Sequence, residues 1–570
     1  MNTYIFPDQG RTEFDVIIIG AGINGVGLMR ELALQNVRGL VVDRGDICSG
    51  ASCAPSRLIH GGIKYLETGE FRLVAQSTLE RNLLLRNAAH MVHPLPTTVP
   101  LQSWFGGIVP SFRRFMGLGG KMTDRGALVT ELGMLMYDIL GRHNRVMPRH
   151  RFFTRGRTRA RWPHMASSVM ATGMYYDAAI TQPERLGYEC VRDAMMTESG
   201  CVIATYTRIE GFHDGTLTLR DRLSGRSWRA RAPVMVNAGG AWIDQINAVL
   251  GLRTRYIGGT KGSHLLLRHD ALLRELDGHM VYFGTPDGRI CLAYPFLGHV
   301  LVGSTDIRVS DPDSAVCTDD EQAYMLERLG ALFPGFRFSA DDVIYRYCGV
   351  RPLPAASVSD PGAISRDHIV HEDRLGAIPL FSLVGGKWTT FRGLAEEVAD
   401  LILPHLGWTR QVSTRMLPIG GGRNFPTPAR QATYIAGIAE AYGISHERAG
   451  ILLARYGTLA QDIARFCAHA PDAPLHSLPD YTRREIAFIA RYEQVRHVAD
   501  ILYRRTTIAL SGALTPAVAR EVAEVAGDAL GWDGDEIRRQ ADDAWQQART
   551  CHHMASRPMP ESARPEPIGA

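Results

Sequence analysis

The sequence predicts an α/β protein built on a Rossmann unit, and two junctions near its N-terminus are the reason. An apolar strand, Phe14-Asp15-Val16-Ile17-Ile18-Ile19, runs directly into Gly20-Ala21-Gly22-Ile23-Asn24-Gly25-Val26-Gly27, and a second one, Gly39-Leu40-Val41-Val42, ends on Asp43. A glycine pattern alone is a weak signal. Set between a buried strand and a helix, with an acid about 20 residues further on, it matches what a dinucleotide fold requires. Gly20 allows the tight turn, Gly22 lets backbone approach a pyrophosphate, and Gly25 lets helix and strand pack closely. The helix N-terminus offers free N–H groups and a partial positive charge to the phosphates. Asp43 can accept hydrogen bonds from the ribose hydroxyls. At this point the residues predict bound FAD or NAD.

The remaining elements follow in order. Pro233-Val234-Met235-Val236-Asn237-Ala238-Gly239-Gly240-Ala241-Trp242 reads as a second buried strand meeting a glycine turn. Leu380-Phe381-Ser382-Leu383-Val384-Gly385-Gly386-Lys387 is a third such junction, followed by helical Leu394-Ala395-Glu396-Glu397-Val398. The cofactor domain is therefore expected to be discontinuous, over 12–62, 165–240 and 355–410. Residues 63–164 and 241–354 are expected to form a substrate-binding and membrane-facing part. Within these limits, Val202 to Trp228 alternates apolar and polar residues with a turn at His213-Asp214-Gly215, the pattern of a β meander. Arg289 to Ser304 and His264 to Leu267 add strand-like runs suited to a substrate-facing sheet. Gly420-Gly421-Gly422-Arg423-Asn424-Phe425-Pro426 reads as a linker. Residues 413–548 have helical spacing, as in Ile486, Ile489 and Ala490. The last stretch, 549–570, is proline-rich and poor in apolar residues, which predicts disorder.

Composition narrows the class. A chain of 570 residues with 45% hydrophobic and 21% charged residues suits two to four globular domains. Nine scattered cysteines without a CxxC pair predict reduced thiols, with neither a disulfide framework nor a metal site. No secretory signal is visible before Glu13, and no apolar run approaches the length of a membrane span, so a cytoplasmic location is expected. The net charge is +4, but eight arginines and no acid lie between Arg142 and Arg161, so the rest of the chain is net acidic. Such a patch attracts phosphate-bearing surfaces. No RNA-binding motif or aromatic platform accompanies it, which argues against nucleic acid and leaves anionic lipid.

FAD is favoured over NAD by the segment after Asp43. Arg44 to Gly62 is a run of small residues, including Ser52 and Ser56, that allows backbone to lie beside a flat ring and a diphosphate. Gly61 and Gly62 permit close approach to an isoalloxazine, with His60 near its reactive edge. The late Gly385-Gly386-Lys387-Trp388-Thr389-Thr390 supplies N–H groups that can face the flavin N1–C2=O end.

Several separate motifs together resemble the FAD-dependent glycerol-3-phosphate dehydrogenases of the aerobic, membrane-associated type. They are GAGINGVG at 20–27, SRLIHGGIKYLETGEFRLV at 56–74, KGSH at 261–264, GSTD at 303–306, CGVRPL at 348–353, SRDH at 365–368, GGKWTTFR at 385–392 and LYRRTT at 502–507. The resemblance spans roughly residues 12–510. It implies a glutathione-reductase-type FAD fold with a substrate sheet and a helical C-terminal cap. It also implies oxidation of sn-glycerol 3-phosphate to dihydroxyacetone phosphate by hydride transfer to flavin N5, a quinone acceptor, peripheral association with the inner face of the cytoplasmic membrane, and a possible homodimer. Carried over by motif, the cofactor contacts would come from Gly20, Gly22, Asn24, Gly25, Asp43, Ser52, Ser56, Arg57, Gly61, Gly62, Gly239, Gly385, Gly386, Lys387, Trp388 and Thr389.

Oxidising a secondary alcohol removes a hydride from carbon and a proton from oxygen, so a base near neutral pKa is needed beside the flavin. His60, Lys387 and His264 are the candidates, in that order. A phosphate dianion needs several cations, preferably arginines with paired donors. The resemblance assigns this to Arg351 and Arg366, with Lys64 and Tyr65 beside them. The family usually has arginine where Lys64 stands, a Thr at Gly239 and a lysine at Arg57. Lys64 keeps the charge without the planar fork, which leaves a longer polyol phosphate, such as a four-carbon one, as an alternative substrate. A non-catalytic FAD-binding sensor and an oxidase that reduces oxygen are the further alternatives.

Residues 101–140 place Trp104, Phe105, Ile108, Phe112, Leu135 and Met136 among Arg113, Arg114 and Lys121, and the basic cluster follows at once. Apolar plus basic is how a monotopic protein lies on an anionic leaflet.

Overall fold

The computed structural model describes residues 12–104, 126–141, 146–355 and 366–554. The expectations for 105–125, for Arg142 and Arg145, and for the tail beyond 554 lie outside the described residues.

Six strands form the sheet that carries the N-terminal glycine turn, in the order Ile369–Leu375, Ile378–Val384, Val234–Asn237, Val16–Ile19, Gly39–Val42, Val202–Ala204. All pairings are parallel except the edge hairpin 369–384. Val16 pairs with Val234 on one side and with Gly39 on the other. The central strands are apolar on both faces because both faces are covered, as parallel sheets require. Alternation divides the side chains: Val16, Ile18 and Val41 pack on the helix side, against Ile23–Leu34, Pro183–Met195 and Phe391–Ile402. Ile17, Ile19, Leu40 and Val42 face the other way, onto Leu217, Leu219 and Ala230. Those three belong to an antiparallel meander of Thr207–His213, Thr216–Asp221 and Ser227–Ala230.

The second sheet has ten strands. Thr260–Leu267 is paired by Ile307–Arg308, His299–Gly303 and Val343–Arg351. The sheet continues through Ile290–Phe296, Met280–Gly284, Val92–Leu101 and Ala171–Ile180 to Leu58–Ile59, with Arg151–Thr154 also on Ala171–Ile180. The dinucleotide segment was expected to resume at 165, yet 171–180 lies in this larger sheet because it pairs along its whole length with Val92–Leu101. One face of the sheet packs Leu265, Leu267, Val281 and Val302 against Met325 and Leu329 of helix Asp319–Leu332. The other packs Leu266, Leu292, Tyr294 and Tyr345 against the C-terminal helices, through Ile486, Ile489, Val518 and Val522.

The Gly420–Gly422 segment is a buried 3-10 turn, not the flexible linker its composition suggests. A Cβ on Gly421 would stand 2.1 Å from the Tyr456 carbonyl oxygen, and one on Gly422 would stand 2.3 Å from that of Asn87. The glycines are there because three backbones meet. The proline-rich end begins later than expected: helix Gly534–His552 includes the first residues of the stretch read as disordered.

Candidate active site

A cavity of about 1840 Å³ opens at the C-terminal ends of Val16–Ile19, Gly39–Val42 and Val234–Asn237 and continues onto the ten-stranded sheet. This is where ligands bind in open α/β sheets. It exceeds the usual 300–1,000 Å³ of a small-ligand pocket, as a dinucleotide with a substrate beside it requires.

At the dinucleotide end, Gly20 has φ +111°, and a Cβ there would lie 2.5 Å from the Ala238 carbonyl oxygen. Gly22 lines the cavity at the start of helix Ile23–Leu34, whose first N–H donates to Ser52 Oγ at 3.0 Å. Asp43 accepts from the Ala21 N–H at 2.7 Å and the Gly45 N–H at 2.8 Å, and burial pushes its pKa up. Asn24, Ser56 and Gly239 also line the wall. Opposite, Gly385 and Gly386 have φ of +81° and +86°, and a Cβ on Gly386 would strike the Asn24 amide. The Asn24 amide donates to the Gly385 carbonyl at 3.1 Å, and Trp388 Nε1 donates to the Ser52 carbonyl at 3.1 Å. Two glycine cradles thus line one cavity, with an acid at the end of the neighbouring strand Gly39–Val42. This donor set fits FAD.

Three of the expected cofactor residues do not line the cavity. Gly25 packs behind it, where a Cβ would meet the Gly20 carbonyl oxygen at 1.9 Å. Gly61 packs against Tyr137, its N–H donating to the Tyr137 hydroxyl at 2.9 Å and to Asp177 Oδ1 at 3.0 Å. Arg57 is the clear correction. Its guanidinium is turned away and buried in a two-pronged pair with Glu184, at 2.6 and 3.2 Å. A buried arginine must find a carboxylate, and Glu184, not a cofactor phosphate, supplies it.

The residues proposed for chemistry converge at the far end. His60 lines the cavity, and its backbone N–H donates to Thr389 Oγ1 at 3.1 Å. Burial, helped by Lys387, Arg366 and Arg81 against the opposing Asp177, lowers its imidazole to about 4. Lys387 is half-buried with its Nζ enclosed, that Nζ has no hydrogen-bond partner among the described residues, and it sits 4.1 Å from the centre of the Tyr65 ring. Burial lowers its pKa to about 7. His264 Nε2 is 2.8 Å from Ser56 Oγ and its ring stacks on Tyr347; burial and the nearby Arg351 and Arg57 lower it to about 3. Lys64 and Tyr65 line the cavity on the turn Ile63–Thr68, and Arg351 and Arg366 line it too.

Sequence reasoning missed three groups here. Asp306 stands between Arg351 and Arg366. Asp177, Tyr137 and Arg81 form a buried cluster under the His60–Gly62 loop, with Tyr137 donating to Asp177 at 2.5 Å and Arg81 at 2.9 Å. Arg44, Trp242 and Asp313 close the dinucleotide end: Arg44 pairs with Asp313 and lies over the Trp242 ring, whose Nε1 donates to Asp313 at 3.0 Å. Only Asp306 had a signal in the sequence, its place in the GSTD motif.

Fold and cavity together define a flavin-dependent oxidoreductase, and comparison with known proteins agrees. The model of the family described as FAD dependent oxidoreductase matches residues 15–401, and that of the C-terminal domain of alpha-glycerophosphate oxidase matches 412–537. A glycerol-3-phosphate dehydrogenase of Synechocystis sp. is 31% identical over 89% of this chain and 90% of its own length. The aerobic glycerol-3-phosphate dehydrogenase of Staphylococcus epidermidis is 27% identical over 87% of each. Among solved structures, the glycerol-3-phosphate dehydrogenase of Bacillus halodurans complexed with FAD superposes with a TM-score of 0.74, covering 97% of both chains at 21% identity. The chain belongs to the FAD-dependent glycerol-3-phosphate dehydrogenase family.

Proposed function

We infer that this chain oxidises sn-glycerol 3-phosphate to dihydroxyacetone phosphate with FAD and delivers the electrons to a quinone at a membrane surface. The observation that carries the reading is a single cavity joining the dinucleotide cradles to the cations Lys64, Arg351, Arg366 and Lys387. FAD, when bound, supplies the hydride acceptor. The chain's own residues bind, orient and deprotonate. Arg351, Arg366 and Lys64 take the phosphate, which directs the secondary alcohol toward Lys387 and His60.

The order of the candidate bases changes with the geometry. A base works best with a pKa near the operating pH. Lys387, at about 7 and with no hydrogen-bond partner for Nζ among the described residues, suits the hydroxyl proton better than His60 at about 4 or His264 at about 3. His60 then remains a neutral neighbour of the reacting carbon.

For the membrane, helix Ala127–Leu140 supports the reading. Leu128, Leu132, Leu135 and Ile139 recur on one face and are 48–58% exposed, while Met134 and Tyr137 are buried. Arg149, Arg151, Arg155, Arg157, Arg159 and Arg161 are exposed close by in sequence. No helix among the described residues is long and apolar enough to cross a membrane, so contact would be with one leaflet.

The deciding experiment mixes the FAD-loaded protein anaerobically with glycerol 3-phosphate, a four-carbon polyol phosphate and glycerol, and follows flavin absorbance. Bleaching by glycerol 3-phosphate alone is expected. Bleaching by the four-carbon phosphate alone would overturn the substrate assignment, and bleaching by none would leave a non-catalytic flavoprotein. Turnover with a soluble quinone should exceed turnover with oxygen.

A further inference from the structure

The GSTD motif ends on Asp306, between strands His299–Gly303 and Ile307–Arg308, and the substrate reading gives that acid no task. Its carboxylate bridges two guanidinium groups. Oδ1 accepts from Arg351 Nη1 at 3.2 Å, and Oδ2 accepts from Arg366 Nη2 at 2.9 Å. All three side chains line the cavity and are only 20–26% exposed. Burial works to raise the Asp306 pKa, but the two arginines outweigh it and hold the carboxyl below its ordinary value.

Arg351 is also braced from behind. Nη1 and Nη2 each donate to the Thr305 carbonyl at 3.3 Å, and Nη2 donates to Ser304 Oγ at 3.3 Å. Thr305 is itself anchored, its hydroxyl donating to Glu321 Oε1 at 2.7 Å, and Glu321 is ion-paired with the buried Lys261 at 2.7 Å. One chain of contacts therefore runs from the core of the ten-stranded sheet to the two arginines, and Asp306 is its last link.

We propose that Asp306 is a positioning residue for phosphate recognition, holding Arg351 and Arg366 as a convergent pair. This rests on the reading that the substrate is a polyol phosphate. Two like charges in a site screened from water repel each other, and burial already lowers the pKa of Arg351, with Arg366 adding to the effect. A carboxylate between them offsets that repulsion. By occupying one edge of each planar fork, it also fixes the direction of both. Arg366 depends on it more, because Arg351 keeps its contacts with Thr305 and Ser304.

The opposite role would have Asp306 fill the phosphate position and compete with substrate. The two roles predict opposite signs. In the FAD-loaded full chain, Asp306→Asn should raise the KM for glycerol 3-phosphate and the inhibition constant of inorganic phosphate about ten-fold each, the size of a charge-assisted contact. It should leave kcat within about two-fold and the flavin spectrum unchanged. Asp306→Glu should recover part of the loss. In a double-mutant cycle, Asp306→Asn should cost clearly less in an Arg366→Gln background than in the wild type. A KM that is unchanged or lower in Asp306→Asn, or strict additivity with Arg366→Gln, overturns the proposal. If Asp306→Asn does not load FAD, Asp306→Glu decides by the same criteria. A wild-type flavin that no polyol phosphate reduces removes the substrate reading itself, which is a different failure from normal wild-type turnover with an indifferent Asp306.

Discussion

Lys387 is the cavity base whose pKa burial brings nearest to neutrality, to about 7. If its neutral amine accepts the alcohol proton, kcat/KM should rise with pH and level off above about 7. The second ionisation of the substrate phosphate, near pH 6, gives a separate limb. Lys387→Met should remove the upper limb, keep the lower one, and slow flavin reduction by about 10²-fold or more; an unchanged pH profile would return the role to His60. The same shift has a stability consequence. Between about pH 7 and the ordinary lysine value near 10.4, the unfolded chain binds the proton and the folded chain does not. This group's contribution therefore stabilises the ligand-free protein increasingly as pH rises through that window. Denaturant titrations at several pH values should show the slope, and Lys387→Met should flatten it. Arg351→Ala should raise the substrate KM strongly with FAD still bound, while unchanged kinetics would remove it from the phosphate site.

Among the elements, helix Ala127–Leu140 and the Gly420–Gly422 turn make opposite predictions about substitution. Leu132 and Leu135 face outward, so changing both to Glu should leave thermal unfolding nearly unchanged yet weaken cosedimentation with anionic vesicles. Equal binding by the variant would mean that this helix does not meet lipid. Gly421 has no room for a side chain, because a Cβ would sit 2.1 Å from a backbone oxygen that cannot move alone. Gly421→Ala should therefore cost about 2–4 kcal/mol in denaturant unfolding. A loss near zero would show that the joint can open.

For the whole molecule, the C-terminal helices are tied to the dinucleotide unit by buried charge. Asp46, three residues past Asp43, accepts from Arg504 Nε at 2.5 Å and from both Arg505 terminal nitrogens at 2.8 Å. Arg505→Ala would leave part of that carboxylate buried without its partner, so a loss of about 3–5 kcal/mol is expected. Because the loop it holds runs on to Ser52 and Ser56, FAD retention on a desalting column should fall too. Stripping the flavin should lower Tm, and adding FAD at about 100 times its Kd should restore about 2.7 kcal/mol.

Local order made the cofactor unit legible. Strand, glycine turn and helix are adjacent in the chain, so the turn of Gly20 and Gly22 and the strand ending on Asp43, which line the cavity, were legible before any contact was known. Buried parallel strands also announced themselves through unbroken apolar runs, as in Val234–Asn237. Arg57 could not be placed, because whether a motif arginine faces a ligand or Glu184 depends on a partner 127 positions away. Separations of 76 and 116 positions likewise hid Tyr137 and Asp177 beneath Gly61. Composition misled at Gly420–Gly422, since glycine looks the same where chain is loose and where backbones crowd.

The sequence by itself determined the Rossmann unit, the flavin and the family, because those rest on residues that are neighbours in the chain or on motifs that travel intact. Only the tertiary structure decided that Arg57 turns to Glu184, that Lys387 is enclosed beside Tyr65, and that Asp306 stands between Arg351 and Arg366. Those outcomes depend on burial and on charges brought together from separate strands, and no stretch of sequence contains both halves of such a pair.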